Sequence, residues 1–319
     1  MKSSIPYQVL LAMSVLACHS ADKNKNIPAP VNASTPALQQ HDFIPLFQYG
    51  DHQLFIYDQY LANLDSEKVQ MGQVALRKFH ELFDGHQPEI CDTAFYIFNR
   101  FHQRLTFALQ EDRAHDSVNQ DTLYLLLRTD KKPVVSKKIA VYAKALDSSG
   151  FTMEEDEGNA YIHESWLFMD RNFSAYVTPG MKAFLGQLNK EQKEGFQDDA
   201  ALEISPVQLA DRTVWWEQFA KSHQRFIYSG DAGSFHAFFV KILLEGTDNT
   251  PVSWEDSLTP FYREAYSYIG SHFAGSRTNK VIAPYFKAWE TRDTAEINQI
   301  IRSLDSSPDW PSPPLSPGS

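Results

Sequence analysis

Cysteine is almost absent, with two residues in a chain of 319. Two thiols build neither a disulfide framework nor a multi-cysteine zinc module. Positive charge is also short: Lys and Arg total 29 against 40 Asp and Glu, a formal charge of −11. The chain lacks the basic footprint that a phosphate backbone selects, so nucleic acid is not an expected partner. Long apolar runs are missing too. The best, Val9 to Ala17, falls well below the roughly 20 residues a helix needs to cross a bilayer. There is no G-x-S-x-G elbow, no S-x-x-K followed by K-T-G and no glycine-rich phosphate loop, which removes the commonest nucleophile and nucleotide signatures. What remains is of ordinary globular composition, 43% hydrophobic and 22% charged. Such a chain is neither wholly disordered nor a rod, and its length allows one large domain or two smaller ones.

Lys2 supplies a short basic region ahead of Val9 to Ala17, and that run has the length of a signal-peptide apolar core. It ends in Val15-Leu16-Ala17-Cys18. This ending resembles the lipobox of bacterial lipoproteins, with Leu16 standing where a small or β-branched residue is more usual. The resemblance implies a signal peptide over residues 1–17, cleavage after Ala17, a thioether-linked diacylglycerol on Cys18 and a fatty acyl group such as palmitate on the new amino terminus. It also implies residence in the cell envelope. His19, rather than Asp, after the cysteine favours the outer membrane with the body facing the periplasm. The bilayer is then an expected partner through the acyl chains, because two or three chains exceed the threshold for stable attachment. An acidic body is repelled by anionic lipid, so no basic patch shares that work.

Residues 18–40 follow as a lipidated start and tether, rich in Asn, Pro, Ala and Ser and poor in large apolar side chains. Such a segment cannot bury enough area to offset its chain entropy. Residues 306–319 (SSPDWPSPPLSPGS) carry five prolines and read as a second disordered segment, a tail. Between them, residues 41–305 form the body, with a sub-division expected at 41–150 and 160–305. Apolar residues recur there at helical spacing. Ala94, Phe98, Phe101, Leu105 and Leu109 make one stripe; Val69, Leu76, Phe79 and Phe83 make another, with Asp65 as the expected N-cap. Ser205-Pro206-Val207-Gln208 combines a serine cap, an N1 proline and a Gln able to close a capping box. Thr259-Pro260 and Thr294 open two more helices. The strand signal is thin and confined to fragments of Asn159 to Met169. The expected class is all-α, built from stacked helical hairpins as an irregular solenoid or bundle, with little or no strand.

A weak internal repeat supports the hairpins. Phe219 precedes His223 by four residues and Tyr268 precedes His272 by four. Each histidine ends an aromatic-rich helix, a Ser/Gly turn follows, and a second apolar helix starts. The pattern Ala265-x-x-Tyr268-x-x-x-His272-Phe273-x-x-Ser276 resembles the turn of tetratricopeptide-like repeats in outer-membrane helical-repeat lipoproteins, although 49 residues separate the two histidines and Pro284 is expected to kink or delay the second helix. This resemblance implies a scaffold that binds an envelope protein or ligand. Trp215, Trp216, His223, Tyr268 and His272 are the candidate contact residues, since aromatics supply large, rigid contact area. The competing class is a cell-envelope hydrolase that uses His163 with Glu164, or Asp199 with Glu203 on one helical face. No metal or cofactor is expected: His80, His86 and Cys91 lie close in sequence without the spacing of a metal-binding helix.

Overall fold

A computed structural model describes residues 51–113, 137–156 and 159–305. The expected signal peptide 1–17, Cys18, the tether 18–40 and the tail 306–319 lie outside the described residues. Four helices open the fold: α1 His52–Ala62, α2 Met71–Phe83, α3 Pro88–Arg113 and α4 Lys137–Ser148. A hairpin of β1 Phe151–Asp156 and β2 Asn159–Glu164 follows, then α5 Trp166–Phe173 and α6 Pro179–Glu194. Beyond the short pair β3 Gln197–Asp198 and β4 Ala201–Leu202 come α7 Pro206–Ser222 and α8 Ser229–Glu245. Two more short pairs, β5 Gly246–Thr247 with β6 Thr250–Pro251 and β7 Ser253–Trp254 with β8 Ser257–Leu258, lead to α9 Pro260–His272, α10 Arg277–Thr291 and α11 Thr294–Asp305. No described helix is long and apolar enough to cross a membrane.

The apolar stripes explain the packing. Ala94, Phe98, Phe101, Leu105 and Leu109 are all buried along α3, the central helix of the first half. α1, α2 and β2 pack on it, and Phe79, Phe95 and Phe98 meet Phe173 of α5 at ring distances of 4.7, 4.9 and 4.8 Å. Cys91 belongs to this core. It is fully buried, its thiol faces the Phe83 carbonyl at 3.9 Å, and burial pushes the thiol pKa up to about 11. In the second half α7 packs on α8 and α9, α9 on α10 and α10 on α11. The buried apolar residues form one cluster from Leu54 to Ile297 that runs through both halves.

The helix starts follow their caps. Ser205 and Gln208 form the reciprocal box expected of them, and Thr259 and Thr294 stand where their helices begin. Asp65, by contrast, does not cap α2. Its carboxylate closes a separate turn by accepting from the Glu67 N–H at 3.0 Å and pairing with Lys68 at 2.7 Å, and α2 starts after Gln70. Pro284 neither kinks nor delays a helix enough to break it, for it lies inside α10, which runs on to Thr291.

The molecule is mostly helical without being strictly all-α, because four antiparallel strand pairs interrupt the helices among the described residues. The β1–β2 ladder follows Gly150, whose φ of +92° turns the chain out of α4. A Cβ there would meet the Phe168 and His102 side chains at 2.8 and 2.9 Å. Two of the three short pairs arise where Gly195 and Gly246 end α6 and α8 with nearly the same backbone (φ 74°, ψ −179° and φ 76°, ψ −159°). Their turns lean on each other: the Asn249 N–H donates to the Ala200 carbonyl at 3.1 Å, and the Leu202 N–H donates to Thr250 Oγ1 at 2.9 Å.

Candidate functional site

The aromatic and histidine residues singled out from the sequence divide between core and surface. Trp216 is fully buried, and its indole N–H donates to Glu191 Oε1 at 2.8 Å. It is a packing residue and not a contact residue, because α7 is enclosed by α6, α8 and α9. Trp215 is half-buried and stacks on Phe219 at 5.0 Å, and Phe219 stacks on His223 at 4.2 Å. On α9, half-buried Tyr268 stacks on His272 at 4.1 Å, and its hydroxyl engages Asp211 of α7; burial and the nearby Asp211 raise its pKa. Both histidines hold Nδ1 against their own helix end. His223 lies 3.0 Å from Ser222 Oγ and 3.0 Å from the Phe219 carbonyl; His272 lies 2.9 Å from Ser271 Oγ and 3.2 Å from the Tyr268 carbonyl. The helix C-terminus is a favourable place for an imidazole.

The carboxylate candidates come apart. His163 and Glu164 are neighbours on a strand and so point to opposite faces. His163 pairs with Glu154 of β1 at 3.6 Å, whereas Glu164 turns inward to His102 of α3 at 3.8 Å. The His102 ring is held between Phe98 and Phe151, with Nε2 2.9 Å from the Ser149 carbonyl. Asp199 and Glu203 do not share a helical face. Gly195 ends α6 before them, Asp199 sits with Ala200 in a left-handed turn (φ 45° and 55°), and Glu203 follows β4. Among the described residues no three His, Cys, Asp or Glu side chains gather as a metal site.

A groove at the far end of the second half was not anticipated. It has a volume of about 420 Å³ and lies between the end of α8, the β6–β7 segment, α10 and α11. Leu244, Val252, Tyr285 and Ile297 form its buried floor, with half-buried Trp289 and Ile301 beside them. The Tyr285 hydroxyl is fixed by donating to the Leu244 carbonyl at 2.6 Å. Polar groups stand at the edge: Glu245, Ser253, Thr294 and Asn298. Next to Ser253, on the β7–β8 turn, Trp254 is 71% exposed, a large apolar side chain left in water where most tryptophans are largely covered. The groove is open to solvent, with polar and apolar lining in similar measure. The floor itself is assembled from four segments that no local pattern joins.

No family model, no curated protein and no solved structure matches the chain.

Proposed function

We propose that this protein is a lipid-anchored protein of the bacterial cell envelope, held at the outer membrane through Cys18, whose helical body binds a partner in the groove between α8, α10 and α11. The groove carries the reading: an apolar floor with a fixed tyrosine, edged by polar groups, is a surface that burial against a partner would stabilise. The lipobox-like Val15-Leu16-Ala17-Cys18 supports the anchor, and the tether sets a reach of roughly 25 Å from the bilayer. Binding is favoured over turnover because the acid–base candidates of the sequence do not converge: His163 pairs with Glu154, and Asp199 and Glu203 lie in different segments. Glu217 accepts from the backbone of Arg277 and Thr278, and Glu164 faces His102 inside the body.

The finer architecture belongs to the same proposal: α7–α8 and α9–α10 are successive units of a short solenoid. Their turns support this, since residues 221–230 and 271–280 have the same order of exposed, half-buried and buried positions. The structural offset is thus 50 residues, one more than the spacing of the histidines.

Two measurements test the reading. Intact mass and detergent partitioning should show a mature chain that starts at Cys18, carries acyl mass and enters the detergent phase, while Cys18→Ser stays in the aqueous phase. An unlipidated, soluble wild-type chain would remove the anchor. A photo-crosslinking residue at Asn298, on the groove edge, should give a discrete adduct in intact cells that is missing when the same residue is placed at exposed Lys221. Equal adducts from both positions would remove the groove.

A further inference from the structure

His102 and Glu164 face each other inside the body without a bond between them. His102 is fully buried and Glu164 is 7% exposed. Nε2 of the imidazole lies 2.9 Å from the Ser149 carbonyl. A carbonyl only accepts, so Nε2 carries the hydrogen, and the neutral ring presents Nδ1 as a bare lone pair. Across from Nδ1, at 3.8 Å, stands Glu164 Oε1, a second acceptor. Neither atom has a hydrogen-bond partner within the protein. Two buried acceptors in opposition repel each other, and each bears the cost of lost hydration. The arrangement calls for a donor with two hydrogens. We infer that one buried water molecule is a fixed component of the fold here, donating one hydrogen to His102 Nδ1 and the other to Glu164 Oε1.

The surroundings favour a water over direct contact. The ring is clamped between Phe98 at 5.5 Å and Phe151 at 4.1 Å. The backbone of Glu164 is fixed on both sides, since it pairs with Phe151 in the β1–β2 ladder and its carbonyl accepts from Gln192 Nε2 of α6 at 2.8 Å. A direct N···O bond needs the two side chains to close by about 1 Å. A water bonded to both at about 2.8 Å needs them to open by only about 0.6 Å, to the roughly 4.4 Å spacing around a tetrahedral oxygen. The neighbourhood is polar, as a buried water requires. Asn99 Oδ1, one turn back on α3, and Ser149 Oγ are likewise buried without partners. The Asn99 amide donates to the Tyr228 hydroxyl at 3.2 Å. Burial raises the pKa of that hydroxyl and the charge of Glu164 adds to the rise, which places the α7–α8 turn beside the same carboxylate. A metal ion finds one imidazole and one carboxylate here, and among the described residues no third such ligand joins them.

The test pairs a crystal structure of the mature chain, at a resolution that shows ordered water, with NMR in solution. The crystal should show one density peak within about 3.2 Å of both Nδ1 and Oε1, with those two atoms about 4.4 Å apart. Direct contact below about 3 Å with nothing between would reveal a shared proton and overturn the inference. A peak with anomalous scattering and contacts near about 2.1 Å would reveal a metal ion and overturn it as well. In solution, nitrogen-15 spectra should report the His102 tautomer with Nε2 protonated and Nδ1 bare; a ring protonated on both nitrogens would contradict it. A nuclear Overhauser effect between His102 Hε1 and a long-lived water should appear in the wild-type chain. It should vanish in Glu164→Leu, whose side chain offers the water no acceptor. Its absence from the wild type would remove the water, and its persistence in Glu164→Leu would place the water elsewhere. If Glu164→Leu does not fold, the crystal and the wild-type spectra decide.

Discussion

The turns that join α7 to α8 and α9 to α10 match position by position in exposure, yet they are tied to the body by different chemistry. In the first, the buried position is Tyr228, whose ring stacks on Phe184 at 4.9 Å and whose hydroxyl accepts from Asn99 of α3 at 3.2 Å. In the second it is Thr278. Its N–H and hydroxyl both donate to Glu217 of α7 at 2.7 Å, and its Oγ1 lies 3.0 Å from Nε2 of His236 in α8. Each turn reaches back to the element before it, one through an aromatic ring and one through an ionic clasp. The lesson is that two turns with the same order of exposed and buried positions can be filled by residues that differ in how they respond to solvent.

The largest way to break the comparison is Glu217→Ala. It takes the carboxylate acceptor from the N–H groups of Arg277 and Thr278 at the start of α10 and from the Thr278 hydroxyl, and should cost about 3 kcal/mol in denaturant unfolding. Tyr228→Phe removes one neutral hydrogen bond and keeps the ring, so it should cost about 1 kcal/mol. If the order of these two is reversed, the aromatic attachment is the stronger one and the contrast fails.

Acid should separate the two attachments further. Burial pushes the His236 imidazole down to about 4, with Glu217 pulling it up and Arg277 pushing it down; its ordinary value is about 6.5. Burial works against the Glu217 carboxylate, but the bonds from Thr278 and Arg277 outweigh it and hold the pKa below the ordinary value. A group depressed in the folded state stabilises above its unfolded pKa and loses that contribution as pH falls through its folded one. For His236 the window runs from about pH 6.5 to about 4, with a loss of up to about 3 kcal/mol. Glu217 adds to the loss in the same direction at lower pH. Burial raises Tyr228 well above its ordinary value, so the first attachment stays uncharged through the same window. Thermal midpoints measured from pH 7 to 4.5 should therefore fall less steeply in His236→Gln than in wild type. Parallel curves would trace the acid response to other groups.

The smallest effect sharpens the comparison from the strand side. Ala200 adopts φ 55° in the turn on which Asn249 leans, a region that costs an L-residue about 1 kcal/mol. Ala200→Gly should raise stability by about that amount, a rise of about 1.5 °C in midpoint for a chain of this size. A fall would mean that the glycine's extra freedom in the unfolded chain outweighs the relief of strain.

Much of this arrangement was legible in the chain, and the reasons for the exceptions are physical. The stripe on α3 and the box at Ser205 are local patterns, which helical periodicity and capping chemistry reveal directly. β2 falls inside the Asn159 to Met169 segment that carried the strand signal; the three short pairs escaped because two of them are set by single glycines at positive φ, Gly195 and Gly246, and two-residue strands have no alternation to read. Asp65 carries the chemistry of a cap but spends it on a turn that begins six residues before α2. Trp216 and Trp215 look alike in sequence, and only the enclosure of α7 by neighbouring helices separates the buried ring from the half-exposed one. The groove was the least legible feature, since its floor joins Leu244, Val252, Tyr285 and Ile297 across more than 50 positions of sequence.

Cys91 turns its surroundings into a clock. Removal of the other thiol by Cys18→Ser leaves it as the single sulfhydryl of the chain. With a pKa of about 11, only about one molecule in a thousand carries the thiolate at pH 8, and even that one is shut off from solvent. Alkylation of this variant therefore proceeds only through excursions in which the end of α2 parts from the start of α3. Its rate counts those excursions in the first half of the molecule while the paired hairpins of the second half open and close unrecorded.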